Sequence, residues 1–254
     1  MDNTTFIFDG IQSDSKGIHQ IRLSSGFYET PFVSAQEIIE ETNRYGVPYF
    51  FRTQKEPMSF TLTFSALEKE MTPEYKHEVA NWLIQNEYKP FQTTDDLGKV
   101  YNVIAISDVE FSSPGTGQGY FTITFRCDAP WAWSVPEFVS YDFTTITTPE
   151  RISITNLSNV YRYAFPELEF HMVEGSEFKI VNLSDGGREF KFFGLDPTDE
   201  VYVNNQRNQI ISKNGHMLLN NFNKKWLRLV QGENTLDVYN KCKLALRISY
   251  PMFR

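Results

Sequence analysis

The residues able to do chemistry in this chain are scattered. Its four histidines, His19, His77, His171 and His216, stand far apart, and none lies at metal-ligand spacing from another His or a Cys. Cys127 and Cys242 are the two cysteines, too separated for a disulfide scaffold, and they read as buried thiols suited to a reducing compartment. Carboxylates are plentiful, but general acid/base work needs two of them facing each other across a cleft. Glu167 and Glu169 instead share one face of an alternating strand whose other face is Leu168 and Phe170, so they read as a solvated edge, as do Glu37, Glu40 and Glu41. No Gly-x-Ser-x-Gly elbow occurs, and the run from Gly115 to Gly119 lacks the Lys-Ser/Thr of a phosphate loop. The expectation is no catalytic residue, no metal site, no cofactor and no enzyme.

Aromatics beside amides are the remaining binding chemistry. Sugars stack on exposed rings flanked by Asn, Asp and Arg, so Trp226 near Asn220 to Asn223, and Tyr202 near Asn204 and Asn205, are the candidate glycan contacts. Trp226 also alternates with Leu227 at the start of an apparent strand, which makes it core. Trp82, Trp131 and Trp133 are the candidates for structural or interface packing.

The elements that would position these residues are mainly strands. Aromatics make up 15% of the chain, and they recur at alternate positions, as pleated sheets favour. Tyr120, Thr122 and Thr124 alternate with Phe121, Ile123 and Phe125, and Pro130 and Pro136 then end the strand because they lack a backbone N–H. Further strands are expected at Ile18–Ser24, Tyr49–Thr53, Ser59–Ser65, Val100–Phe111 and, beyond the prolines, at short intervals from Arg151 to Tyr250, including Trp226–Val230. One segment has helical period: Thr72-Pro73-Glu74 is an N-cap, a first-turn proline and an acid at the positive end of the helix dipole. Tyr75, Val79, Trp82 and Leu83 follow as one apolar stripe facing a core.

The break near mid-chain divides the sequence into residues 1–134, a linker at 135–143, and residues 144–254, each flank long enough for its own core. Residues 1–134 hold 18 acidic and 10 basic side chains, a net of −8; residues 135–254 hold 14 of each. Neither part has the Lys/Arg surplus of a nucleic-acid binder. No apolar stretch approaches the ~18–20 residues of a membrane span, and the first ten residues lack the basic and apolar regions of a secretory signal.

Taken in order, these pieces resemble the distal tail protein (Dit) family of long-tailed phages that infect Gram-positive bacteria. The resemblance rests on the opening Phe6-Ile-Phe-Asp-Gly, the segment Ser34 to Glu40 with Val47-Pro-Tyr-Phe-Phe, the lone helix containing His77 to Leu83, and the strand ending Phe125-Arg-Cys-Asp-Ala-Pro-Trp-Ala-Trp133. In the second half it rests on Ala164-Phe-Pro-Glu-Leu-Glu-Phe170, the hairpin Val203 to Ser212, and Trp226 to Leu236 with a tight turn at Gly232-Glu-Asn234. The resemblance implies a β domain with one packed helix, which forms a belt, followed by a galectin-like or jelly-roll β-sandwich. It also implies a homo-hexameric ring, or a ring dimer, at the tail tip, assembled in the host cytoplasm. That ring would join the tail tube protein to the tail-associated spike or lysin and, in some phages, to receptor-binding proteins, with DNA only in transit and no membrane contact. The strands around Ser34–Phe51 would be the intersubunit arm. An acidic belt would repel passing DNA. The alternative is a lectin-like module of the adsorption apparatus.

Overall fold

The computed structural model describes residues 5–21, 36–66, 69–70, 72–107, 109–112, 119–147 and 149–253. The end of the strand expected at Ile18–Ser24, the start of the arm at Ser34, and most of the loop from Gly115 lie outside them. The chain forms two units, Met1–Trp133 with Met252–Arg254, and Ser134–Pro251.

In the first unit the strands are β1 (Phe6–Phe8), β2 (Ile11–Gln12), β3 (His19–Ile21), β4 (Gln36–Thr42), β5 (Pro48–Lys55), β6 (Ser59–Ala66), β7 (Lys89–Thr93), β8 (Asp96–Ala105), β9 (Glu110–Ser112) and β10 (Gly119–Cys127). Eight of them lie in one sheet, in the order β2-β1-β7-β8-β10-β6-β3 with β9 beside β10, while among the described residues β4 and β5 pair only with each other. The alternation read in β10 holds: Phe121, Ile123, Phe125 and Cys127 point inward, and eight consecutive residues pair with β6. On the outer face Thr61 meets Thr124 at 2.9 Å and Thr63 meets Thr122 at 3.3 Å, cross-strand hydroxyl pairs of the kind that fix a register. Asp9 and Gly10, at φ 50° and 76°, connect β1 to β2 as the two-residue turn whose twist suits a hairpin.

The helix α1 (Pro73–Leu83) begins where its cap predicts, with Thr72 Oγ1 accepting from the Tyr75 amide at 3.3 Å. Its stripe of Tyr75, Val79, Trp82 and Leu83 is buried among Phe6, Phe8, Phe64, Phe91 and Phe125. Trp82 stacks on Phe6 at 5.7 Å, meets Phe8 edge-on, and donates its indole N–H to the Phe8 carbonyl at 3.2 Å.

After β11 (Ala132–Ser134), the second unit is an antiparallel sandwich. Its strands are β12 (Glu137–Asp142), β13 (Glu150–Asn156), β14 (Glu167–Met172), β15 (Glu177–Asn182), β16 (Arg188–Phe193), β17 (Glu200–Asn204), β18 (Gln209–Ser212), β19 (Gly232–Tyr239) and β20 (Cys242–Ile248). One sheet runs β12-β20-β14-β17-β18 and the other β13-β19-β15-β16. Phe170 from the first stacks on Phe178 from the second at 3.9 Å, with Phe190, Phe192 and Phe222 filling the space beside them. Cys127 and Cys242 are both buried and form no disulfide, and burial raises the Cys242 thiol to about 12.

Three expectations are corrected. The stretch read as a linker at 135–143 contains β12, paired with β20 from Glu137 opposite Ile248 to Asp142 opposite Lys243. Pro136 precedes this edge strand and so interrupts nothing. Trp226–Val230 is no strand; it makes a single bridge, Leu229 to Ala164. Side-chain amides replace the missing ladder: Asn205 accepts from the Leu227 amide, Asn234 from the Val230 amide, and Asn182 and Asn156 donate to the carbonyls of Arg228 and Leu229. Nor is Gly232-Glu-Asn234 a turn between strands. Gly232, at φ 86°, starts β19 and is already paired with Asn156.

Several outer-face carboxylates are held below their ordinary range by hydrogen-bonded cations. Asp237 is held by Arg151, which reaches both of its oxygens at 2.8 and 3.1 Å, and Glu200 by Lys213 and then His171. Because the folded values lie below the unfolded ones, this stability is fully present above about pH 4.5 and lost as the pH falls through the folded values. Thermal melts should therefore show the sandwich midpoint flat from pH 7 to 5 and falling below pH 4. An Asp237→Asn variant should shrink the acid-side drop.

Candidate functional site: an uncovered hairpin

The hairpin of β4 and β5 departs most from a simple soluble domain. Asn43 organises its turn, accepting from the amides of Tyr45 at 2.8 Å and Val47 at 3.1 Å, while Gly46 takes φ 78°. Register then sets Glu41 opposite Tyr49 and Glu40 opposite Phe50, and slips between Ile39 and Glu40 so that Phe51 is skipped. Every residue of the two strands is exposed except Ile39 and Lys55, which are half-buried. Tyr45, Tyr49, Phe50 and Phe51 are 75%, 59%, 64% and 61% exposed, with Ile38 and Val47 beside them. Among the described residues no third strand pairs with this ribbon, and a bare two-stranded ribbon is marginal in water. An apolar ribbon left open is characteristic of an interaction element.

The expected site residues fall in different places. Trp82 is core. Trp131 and Trp133 are half-buried and meet edge-on at 5.8 Å, and the Trp133 indole donates to Asp128, which also accepts from Asn102. Tyr202 and Asn204 lie on one strand of the five-stranded sheet. Asn204 is buried and donates to Glu167 at 3.0 Å while accepting from the Arg207 amide; Glu167 also binds Arg247 at 3.1 Å, and Arg247 lies over the ring of Phe138. Tyr202 is half-buried there, its hydroxyl 3.5 Å from Asn204, and burial raises its pKa. Trp226 is half-buried edge-on to Phe222 at 4.8 Å.

Sequence spacing also hid a contact. His216 Nδ1 lies 3.3 Å from an oxygen of buried Asp199, and Asp196 completes a group whose ligand atoms lie within 4.8 Å of one another. Both Asp199 oxygens already accept hydrogen bonds, from Asn214 and from the Asp196 amide, so the group clamps a turn.

Comparison with known proteins follows this division. The sequence family described as Phage tail protein N-terminal domain matches residues 1–129, and that described as Phage tail C-terminal domain matches residues 131–250. The SPbeta prophage-derived uncharacterized protein YomH of Bacillus subtilis (strain 168) is 23% identical over 248 residues, 96% of each chain. Among solved structures, SPP1 Dit, titled a paradigm of hub adsorption apparatus in Gram-positive infecting phages, matches with TM-score 0.66 at 13% identity, covering 97% of this chain and 99% of that one. A chain of the phage P2 baseplate, solved in its activated conformation with Ca, matches with TM-score 0.59 at 10% identity over 98% of both chains. No helix among the described residues is long and apolar enough to cross a membrane. The chain belongs to the phage tail proteins built from these two domains, a structural component of the virion with the fold of the distal tail (Dit) proteins.

Proposed function

We propose that this protein is the ring hub of a siphophage tail tip. The first unit forms the ring around a channel for DNA, and the sandwich serves the attachment of adsorption proteins. The hub joins the tail tube protein to the spike or lysin protein and to receptor-binding proteins. The observation that supports this reading is the β4–β5 ribbon, whose aromatic surface the described residues leave exposed. A heterologous contact, one patch on one subunit against a different patch on the next, generates a closed ring when the rotation closes. The surplus of 8 negative charges in residues 1–134 suits a lining that DNA does not stick to. The protein is proposed to be non-enzymatic and to use no cofactor.

The full-length chain at tens of micromolar should run as a closed oligomer near six protomer masses, with ring-shaped particles in negative stain. A stable monomer under those conditions would sink the proposal. The polar group of Tyr202, Asn204, Glu167 and Arg247 favours a second reading, a glycan-binding module. Isothermal titration against host wall polysaccharide should give no micromolar binding; micromolar affinity abolished by Tyr202→Ala would put the lectin reading first.

A further inference from the structure

The stretch Trp226–Val230 alternates like a strand without having the ladder of one. Leu227 and Leu229 are buried, while Trp226, Arg228 and Val230 are half-buried. Buried asparagine amides fix its backbone, and groups held in place before a partner arrives lose little freedom on binding. The Arg228 guanidinium lies 4.0 Å from the centre of the Tyr163 ring and reaches both oxygens of Asp185, at 2.7 and 3.0 Å. The contact with Asp185 uses two of the five N–H donors of the guanidinium fork, leaving three. Arg188 joins from β16, its Nε donating to the Trp226 carbonyl at 2.9 Å and lying 4.0 Å from the same carboxylate. The segment that carries Tyr161 and Tyr163 runs alongside, because Ala164 bridges Leu229 and Gln231 donates to the Ser158 carbonyl at 2.9 Å. Tyr161 is 91% exposed. The result is a rigid shelf of rings and guanidinium groups.

We propose that this shelf docks an acidic segment of a partner protein; the inference rests on the reading of the sandwich as an attachment point. Charge chooses the occupant. Residues 135–254 hold equal numbers of acids and bases, yet Arg188, Lys224, Lys225 and Arg228 gather here against Asp185 and Glu189. Asp185 is buried beneath the two arginines, so the local surplus is positive. A planar fork of donors suits a carboxylate, which it can take with two parallel hydrogen bonds. Composition chooses a protein over a bare polyanion. Tyr, Trp and Arg are the residues enriched where protein interfaces hold most of their energy. A phosphate polymer is instead held by cations spread along its backbone, and gains nothing from the exposed ring of Tyr161.

The test titrates full-length protein into a fluorescein-labelled peptide of alternating glutamate and leucine and follows anisotropy at low and at physiological salt. Saturable micromolar binding is expected, weaker as salt rises, and none for the peptide with lysine in place of glutamate. Tyr161→Ala combined with Lys225→Glu should weaken binding at least about tenfold at an unchanged melting temperature, because both side chains are exposed. Lys243→Glu, on the outer face of the five-stranded sheet, should leave binding as it was. An equal loss from Lys243→Glu would overturn the inference by showing attraction to the sandwich as a whole. Duplex DNA or poly(glycerol phosphate) that binds more tightly than the peptide, and is released by the Tyr161 and Lys225 substitutions, would overturn it in favour of a polyanion site. A chain that forms rings but takes no peptide would end this inference and leave the hub reading standing. A chain that takes the peptide but stays monomeric would remove the ring and keep the shelf.

Discussion

Trp82→Ala is expected to destabilise the first unit by about 3–5 kcal/mol, the usual cost of removing a buried large aromatic. The ring is 7% exposed, stacks on Phe6, and gives the Phe8 carbonyl its indole hydrogen bond, so truncation leaves both a void and a changed polar contact at the junction of helix and sheet. Loss of that size is comparable to the whole stability of a marginal domain. Hydrogen exchange resolved by peptide should show α1, β1 and β7 losing protection while β14, β17 and β20 keep theirs. Asn81→Ala, on the exposed side of the same helix, should change stability by under about 0.5 kcal/mol. Equal effects would show that the helical phase argued for this core is wrong.

The second large effect is on assembly. Replacing Tyr49, Phe50 and Phe51 together by serine should leave the fold within about 0.5 kcal/mol of its original stability, because the residues are exposed. The same replacement should dissolve the proposed ring. Interface aromatics at hot spots are each worth about 2 kcal/mol or more, so losing three weakens each subunit contact by roughly three orders of magnitude or more. Analytical ultracentrifugation at micromolar concentration should show monomer in place of the ring. A fully assembled variant would remove the ribbon from the interface.

These two residue sets differ in how far the sequence revealed them. The helix was legible because its cap, its first-turn proline and its stripe all act within twelve residues. The strand of Gly119–Cys127 was legible because period-2 alternation states both its faces. The ribbon was legible only as strands: Val47-Pro-Tyr-Phe-Phe reads as β, but nothing local says that those rings find no cover. Exposure there is a property of the tertiary arrangement. The misreadings have the same origin. β12 looked like a connector because prolines stand before it, and its place beside β20 depends on a partner about a hundred residues away. Trp226–Val230 has the composition of a strand, yet amides from Asn156, Asn182, Asn205 and Asn234 take the hydrogen bonds a ladder would have used. The approach of His216 to Asp199 likewise joins residues seventeen apart in the sequence.

The pairing of the first and last strands of the sandwich bears on how such a chain can change. Glu137 faces Ile248, the Ser134 amide donates to the Tyr250 carbonyl at 2.8 Å, and the Tyr250 amide returns to the Ser134 hydroxyl at 2.9 Å. Entry and exit of the second unit are therefore fastened side by side. Whatever is spliced between residues 133 and 252 need only present two adjacent ends, and closing a short bridge across them carries little entropic penalty. The sandwich is a cassette: a phage lineage could enlarge, exchange or lose it while the strands and helix before residue 133 keep their own core.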